Sequence, residues 1–212
     1  MTLPEATTTN EAETRLLDSA LRLFSQQGYE GTSIREIIEG AGVTRPVLYY
    51  YFENKEDLFR RLFETKFSEL IARIDSAARG SDTSIDKLKG IIAGTFELAE
   101  ENSEGVRLIL QVLFSPPQQG PPLDRNRLIR QRFKIVEGVI KFGLENEELS
   151  GGDSQSLTLV FLGVMDFHLM AKSNRLETRL TPELAASLVD LVVAGAKYRD
   201  VPETNLISPF AD

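Results

Sequence analysis

A chain of 212 residues that is 42% apolar and 26% charged is long enough to bury a core of its own, and with no cysteine it excludes a disulfide framework and any thiolate metal site. Its net charge of −8 excludes a broad cationic footprint for nucleic acid, and the first 65 residues, with seven basic side chains against eleven acidic, do not depart from this. Any polyanion-binding face must therefore be local, built from a few placed cations and helix N-termini.

Residues 1–10 are polar and Thr-rich and are expected to form a flexible tail. No basic segment followed by an apolar stretch marks a signal peptide, and a cytoplasmic location is expected. Leu17, Ala20, Leu21 and Phe24 recur at i, i+3, i+4 and i+7, the apolar face of a first helix, and Gly28 supplies a left-handed stop. Ser33 to Glu36 has the form of a capping box and opens a short helix ending near Gly40. Ala41, Gly42 and Val43 make a tight connection. Thr44 is the expected N-cap of the next helix, with Pro46 in its first turn, where a missing N–H costs nothing. Asn54 caps a long helix that carries acids in its first turn, then Leu58, Leu62, Phe63, Phe67, Leu70 and Ile74, and runs to Arg79 and Gly80.

The remainder is helical too. Residues 84–102 place Ile85, Leu88, Ile92 and Phe96 near one face, and residues 103–114 form a shorter helix. The Pro-rich stretch 115–122 is the clearest break in the chain. Residues 123–147 carry Ile129, Phe133, Val136 and Ile140 in register. Leu157 to Lys172 is apolar nearly all round, as in a helix buried on two sides, and is too interrupted by Thr158, Asp166 and His168 for a membrane span. Thr181 to Glu183 opens a last long helix with Leu184, Leu188, Leu191, Val192 and Gly195 on one stripe. No alternating strand pattern occurs. The fold class is all-α, with about nine helices.

The helix at 33–40, the turn at 41–43 and the helix at 44–52 together have the size of a helix-turn-helix. The second helix is too short to be a good core element, yet it carries Arg45, Tyr49, Tyr50 and Tyr51. In such a motif its N-terminal residues meet base edges in the major groove, and its N-terminus favours phosphate.

The run from Gly28 through Thr32-Ser33-Ile34-Arg35-Glu36-Ile37, followed by Ala41-Gly42-Val43-Thr44-Arg45-Pro46-Val47-Leu48-Tyr49-Tyr50-Tyr51-Phe52 and Lys55-Glu56-Asp57-Leu58, resembles the tetracycline-repressor (TetR) family. The resemblance covers roughly residues 11–60. It departs from the common pattern at Ile38, where a small residue is usual, and at Tyr51, where histidine is frequent. The resemblance implies a three-helix DNA-binding domain at 11–58, a ligand-binding and dimerisation bundle at 59–201, and a C-terminal tail at 202–212. It also implies roles. Thr32 or Ser33 would offer a hydroxyl and N–H to a phosphate, and Arg35 would reach the groove. Thr44 would cap the reading helix, Arg45 and Pro46 would face bases, Tyr49, Tyr50 and Tyr51 would contact phosphates or base edges, and Lys55 would grip the backbone.

The implied partners are a palindromic double-stranded operator, a second copy of the chain and a small hydrophobic effector that releases DNA; no membrane is expected. Phe96, Phe114, Phe133, Phe161, Met165 and Asp166 are the candidate effector-site residues, and Val160, Gly163, Val164, Phe167, Leu188, Leu191 and Val192 the candidate dimer face. Asp166 has only apolar helical neighbours, so its partner must come from another helix, the other subunit, water or a ligand. His168 is the only histidine, so a transition-metal site is not expected. The basic run Arg125, Arg127, Arg130, Arg132 and Lys134 reads as a solvated helix face. No Gly-rich phosphate loop, nucleophile elbow or metal cluster points to an enzyme, and no cofactor is expected. The alternative is a ligand-independent DNA-binding or protein-interaction factor on the same fold, favoured if the second domain has no room for a small molecule.

Overall fold

The computed structural model describes residues 6–114, 123–176 and 179–196, and these contain nine α-helices and no strand. The Pro-rich break at 115–122 and the tail at 202–212 lie outside the described residues. The described residues divide into two compact units, one drawn from 1–68 and 107–123, the other from 69–106 and 124–212.

In the first unit, α1 (Ala6–Gly31) starts within the segment read as a flexible tail. Gly28 breaks its helical backbone with φ 75° and ψ 175°, a region essentially reserved for glycine, and one further turn follows. Helix α2 (Ile34–Ala41) opens on a complete capping box: the Ser33 hydroxyl accepts from Glu36 N–H, and the Glu36 carboxylate accepts from Ser33 N–H at 2.8 Å. It closes on Gly42 in the left-handed region, φ 62°. Helix α3 (Arg45–Tyr51) has Pro46 in its first turn, but Thr44, its N-cap residue by position, makes no capping hydrogen bond through its side chain. Helix α4 (Lys55–Arg79) begins with Asn54 Oδ1 accepting from Asp57 N–H at 2.8 Å.

Leu16, Ala20, Phe24, Ile37, Leu48 and Phe52 are buried, the apolar stripe of α1 meeting α2 and α3. Close approach of α1 and α2 depends on Gly40, where a Cβ would collide with the Ser19 side chain. Ser19 in turn donates to the Ile37 carbonyl at 3.1 Å. Below this, Phe24 meets Phe59 edge-on at 4.9 Å, and Phe59, Phe63 and Phe67 stack along α4. The Gln111 amide donates to the Ser25 carbonyl at 3.0 Å, which ties the end of α6 (Ser103–Phe114) to α1.

The second unit is a bundle of α5 (Ser84–Glu101), α7 (Arg125–Glu145), α8 (Ser154–Ser173) and α9 (Pro182–Ala196), in which α5 packs on α7, α8 and α9, and α8 packs on α7 and α9. The turn between α7 and α8 is short, so the two are antiparallel neighbours. Its Glu148 carboxylate accepts from both the backbone N–H and the hydroxyl of Ser84 at the start of α5. Helix α8 is 20 residues long and apolar enough to span a membrane by length and composition, contrary to the reading of the sequence. In the bundle Phe161, Leu162, Met165 and Leu169 give it a buried apolar face, and Thr158 and Asp166 are buried with them.

Candidate nucleic-acid interface and effector site

Helix α3 exposes the side chains expected to read DNA. Its N-terminus presents Thr44, Arg45 and Pro46, all exposed. Tyr50 is 71% exposed and Tyr49 45%, high values for tyrosines in a compact unit. Leu48 on the opposite face is fully buried and anchors the helix. Arg45 lies over the Tyr49 ring at 5.6 Å and its guanidinium donates to the phenol oxygen at 3.4 Å, a contact open to solvent. Tyr51 is half-buried and meets Tyr50 edge-on at 4.9 Å.

Three other expected DNA contacts stand differently. Thr32 is 2% exposed, and its hydroxyl donates to the Gly28 carbonyl at 2.8 Å, so it is not placed to meet a phosphate. Lys55 is half-buried; its ammonium donates to the Tyr29 and Thr32 carbonyls at 3.0 and 3.1 Å and sits 4.1 Å over the Tyr29 ring. It holds the Gly28–Thr32 loop in place, which leaves it one N–H rather than a free ammonium. Arg35 is exposed and donates to Glu39 at 2.7 Å across one helical turn. That contact is weak in water and open to exchange for an anion. Ser33 is exposed, with its hydroxyl committed to Glu36. The remaining cations of the first turns of α4, Arg60 and Arg61, both pair with the buried Asp57. The head is thus poor in free cations.

In the bundle, a small apolar cavity of about 20 Å³ is lined by Leu88, Ile140, Leu149, Phe161, Val189 and Val193 among others. That is room for about one water molecule. Of the six candidate effector residues, Phe161 lines it. Phe96, Phe133 and Met165 are buried elsewhere in the bundle, while Phe114 belongs to the other unit and is 58% exposed.

Asp166 meets a partner that the sequence reading had placed in solvent. Arg132 is 5% exposed and donates from Nη1 to Asp166 Oδ1 at 2.6 Å and from Nη2 to Oδ2 at 2.5 Å, a bidentate pair between α7 and α8. The signal was available: Arg132 lies four residues from Leu128 and four from Val136, on the apolar stripe of α7, whereas Arg127, Arg130 and Lys134 are exposed as expected. His168 is half-buried, with Nδ1 2.8 Å from the Val164 carbonyl. Among the described residues no cluster of metal-ligating side chains occurs.

The candidate dimer residues fall into two sets. Val160, Gly163, Phe167 and Leu191 are exposed, Phe167 at 61% and Leu191 at 69%, and Met170 joins them. Val164 is half-buried, Leu188 is buried within its own unit, and Val192 lines the cavity.

Residues 16–62 match the bacterial regulatory proteins of the tetR family. This segment is α1 to α4 with the reading helix in it. Residues 16–62 thus carry the DNA-reading segment of a TetR-family transcriptional regulator. Over nearly its whole length the regulator is 22% identical to the fatty acid metabolism regulator protein of Bacillus subtilis, in a match covering 85% of this chain and 93% of that protein. Its fold is that of the transcriptional regulator FadR from Bacillus subtilis solved in complex with stearoyl-CoA, with a TM-score of 0.70 at 23% identity over 86% of this chain and 98% of that one. The ketosteroid transcriptional regulator KstR2 of Mycobacterium tuberculosis superposes with a TM-score of 0.67 at 22% identity, over 86% and 93%.

Proposed function

We propose that the regulator is a cytoplasmic homodimeric repressor that binds a palindromic operator through α3 and releases it when a hydrophobic small molecule occupies the α5–α7–α8–α9 bundle. DNA reading belongs to the domain at 11–58 and effector binding and dimerisation to that at 59–201, with α4 contributing residues to both. The observation that carries the reading is α3 itself, seven residues that bury little beyond Leu48 and expose Arg45, Pro46, Tyr49 and Tyr50 to solvent. Ser33, Arg35 and Thr44 flank them on the exposed side. A second copy is supported by the apolar side chains that α8 and α9 leave uncovered, Val160, Phe167, Met170 and Leu191. Two-fold pairing would set two reading helices about 34 Å apart, one turn of DNA.

The effector class is drawn from what the relatives bind or are named for: an acyl-CoA, whose acyl chain is long and apolar, or a steroid. The cavity of about 20 Å³ is far below the roughly 300–1,000 Å³ of a ligand pocket, so in this reading such a molecule enters by parting helices of the bundle, α7 from α8 among them. Opening of this kind is the state change through which the effector can act, since only differential affinity for two states shifts DNA binding. The small cavity equally favours the second reading, a DNA-binding factor without a ligand.

The test is selection of bound sequences from random DNA with the purified chain, repeated with Tyr49→Ala and Arg45→Ala, then release assays with palmitoyl-CoA and cholest-4-en-3-one. A palindrome recovered by the parent and lost by both variants supports the reading helix. A folded dimer that enriches no sequence overturns it. Operator binding indifferent to both probes supports the ligand-independent reading.

A further inference from the structure

The geometry points to Arg132 as the polar anchor of the effector site, its Nε–H reserved for a carbonyl oxygen on an otherwise apolar molecule. The inference rests on the reading of the bundle as an effector site and says which chemical group is recognised there.

Asp166 takes the guanidinium end-on, through Nη1 and Nη2. The third kind of donor, Nε–H, is buried and is the one buried side-chain polar atom without a hydrogen-bond partner among the described residues. Burial of an unmet donor on a charged group is costly, and native structures rarely keep one without a use. The edge of the guanidinium that carries Nε is therefore an unpartnered recognition edge on a stripe of α7 whose other members, Leu128, Val136 and Ile140, are apolar.

Its place in the seam connects it with the cavity. Leu128, Arg132, Val136 and Ile140 form one buried stripe along α7, and Ile140 lines the cavity. Arg132 is two turns toward the N-terminus, about 12 Å along the helix axis. On antiparallel α8, Asp166 lies just over one turn beyond the cavity-lining Phe161. Pair and cavity occupy two levels of one α7–α8 seam. A molecule that enters the cavity and parts the helices along the seam meets Arg132 next.

Charge selects the acceptor. Asp166 already neutralises the guanidinium, so a carboxylate or phosphate arriving at Nε would leave a net buried negative charge, with its desolvation uncompensated. A neutral carbonyl oxygen accepts the N–H and adds no charge. Both effector classes drawn from the relatives can carry such an oxygen, an acyl-CoA in its thioester and a steroid in a ring ketone.

The experiment compares matched probes on the full-length protein by calorimetry: palmitoyl-CoA against S-hexadecyl-CoA, the thioether lacking the carbonyl, and cholest-4-en-3-one against cholest-4-ene. The parent is expected to bind the carbonyl member of one pair about 10-fold or more tighter, the range of a hydrogen bond from a charged donor. The joint replacement Arg132→Met with Asp166→Leu keeps volume and removes both charges. It is expected to bring that ratio close to one while affinity for the probe without the carbonyl holds. Which pair discriminates identifies the thioester or the ketone as the source. Equal binding within both pairs by the parent, or a ratio unchanged in the joint variant, overturns the assignment of Arg132 alone. Binding of none of the four probes overturns the effector reading beneath it. Circular dichroism of the joint variant confirms a folded bundle, and a variant that fails this is replaced by Arg132→Lys, which keeps the charge and lacks the Nε–H.

Discussion

The two units use polar side chains in opposite ways. In the reading head, the polar groups of α3 are held by weak contacts at the surface: Arg45 on the Tyr49 phenol, Tyr50 on Tyr51. In the bundle, the polar pair of greatest consequence, Arg132 with Asp166, is sealed between helices. A surface contact costs little to exchange for a base or a phosphate, and a sealed one costs several kcal/mol to open. The head is thereby suited to a partner that comes and goes without altering its fold. The bundle is suited to a ligand whose arrival must change the packing.

The sharpest break of this contrast is in the bundle. Arg132→Met alone, or Asp166→Leu alone, strands a buried charge and is expected to cost roughly 3–5 kcal/mol in urea unfolding. The joint variant is expected to return close to the parent, since it leaves no uncompensated charge. Single variants that cost less than about 1 kcal/mol would place the pair in solvent and erase the difference between the units.

In the head the expected effects are on DNA and not on stability. Arg45→Ala and Tyr49→Ala are each expected to lower operator affinity about 10- to 100-fold, or 1–3 kcal/mol, with an unchanged urea midpoint. Lys55→Ala is the counter-case. Its ammonium bonds to the Tyr29 and Thr32 carbonyls, so it is expected to lower the unfolding midpoint of the head and weaken all DNA sequences alike. Salt titration separates the remaining roles: loss of a phosphate-neutralising cation flattens the slope by about one, and loss of a base contact leaves it unchanged. A Lys55 variant with parental stability and a flattened slope would return Lys55 to the phosphate role that the family resemblance implies.

The same contrast explains what was legible in the sequence. The head is written in short-range signals. Ser33 and Glu36 are three residues apart, Gly28 and Gly42 mark backbone that only glycine adopts readily, and Asn54 caps the next helix; each reads without knowledge of the fold. The limits of this reading were equally local. Nothing adjacent to Thr32 or Lys55 reveals that a loop carbonyl would claim the side chain. In the bundle the decisive contacts are remote: Arg132 and Asp166 are 34 residues apart, Ser84 and Glu148 are 64. A basic run hid the one arginine whose register faced inward, because charge was weighed before helical phase. Of the effector residues chosen for aromatic bulk, Phe96 and Phe133 are buried in the bundle, Phe161 lines the cavity, and Phe114 is exposed on the other unit.

The smallest expected effects come from two serine–carboxylate contacts that repeat the contrast in miniature. Hydrogen bonds from the Ser33 hydroxyl, the Ser33 backbone N–H and then the Gln27 amide hold the Glu36 carboxyl below the usual glutamate range. The Ser84 hydroxyl and backbone N–H do the same for Glu148. A carboxyl with a depressed folded value contributes stability in full above its ordinary value and loses it as pH falls through the depressed one. Both contacts therefore weaken in the same acid window, below the ordinary glutamate range. Ser33→Ala is expected to lower the thermal midpoint by about 4 °C at neutral pH, with a difference from the parent that shrinks on acidification. Ser84→Ala is expected to show the same pH trend. Their structural consequences differ, because Ser33 and Glu36 close a single turn whereas Glu148 reaches from the α7–α8 turn to the start of α5. Hydrogen exchange of the Ser33→Ala variant is expected to rise only in the first turn of α2. In Ser84→Ala it is expected to rise at both the start of α5 and residues 146–149. Exchange confined to α5 would mean that Glu148 only caps that helix and does not tie the turn to it.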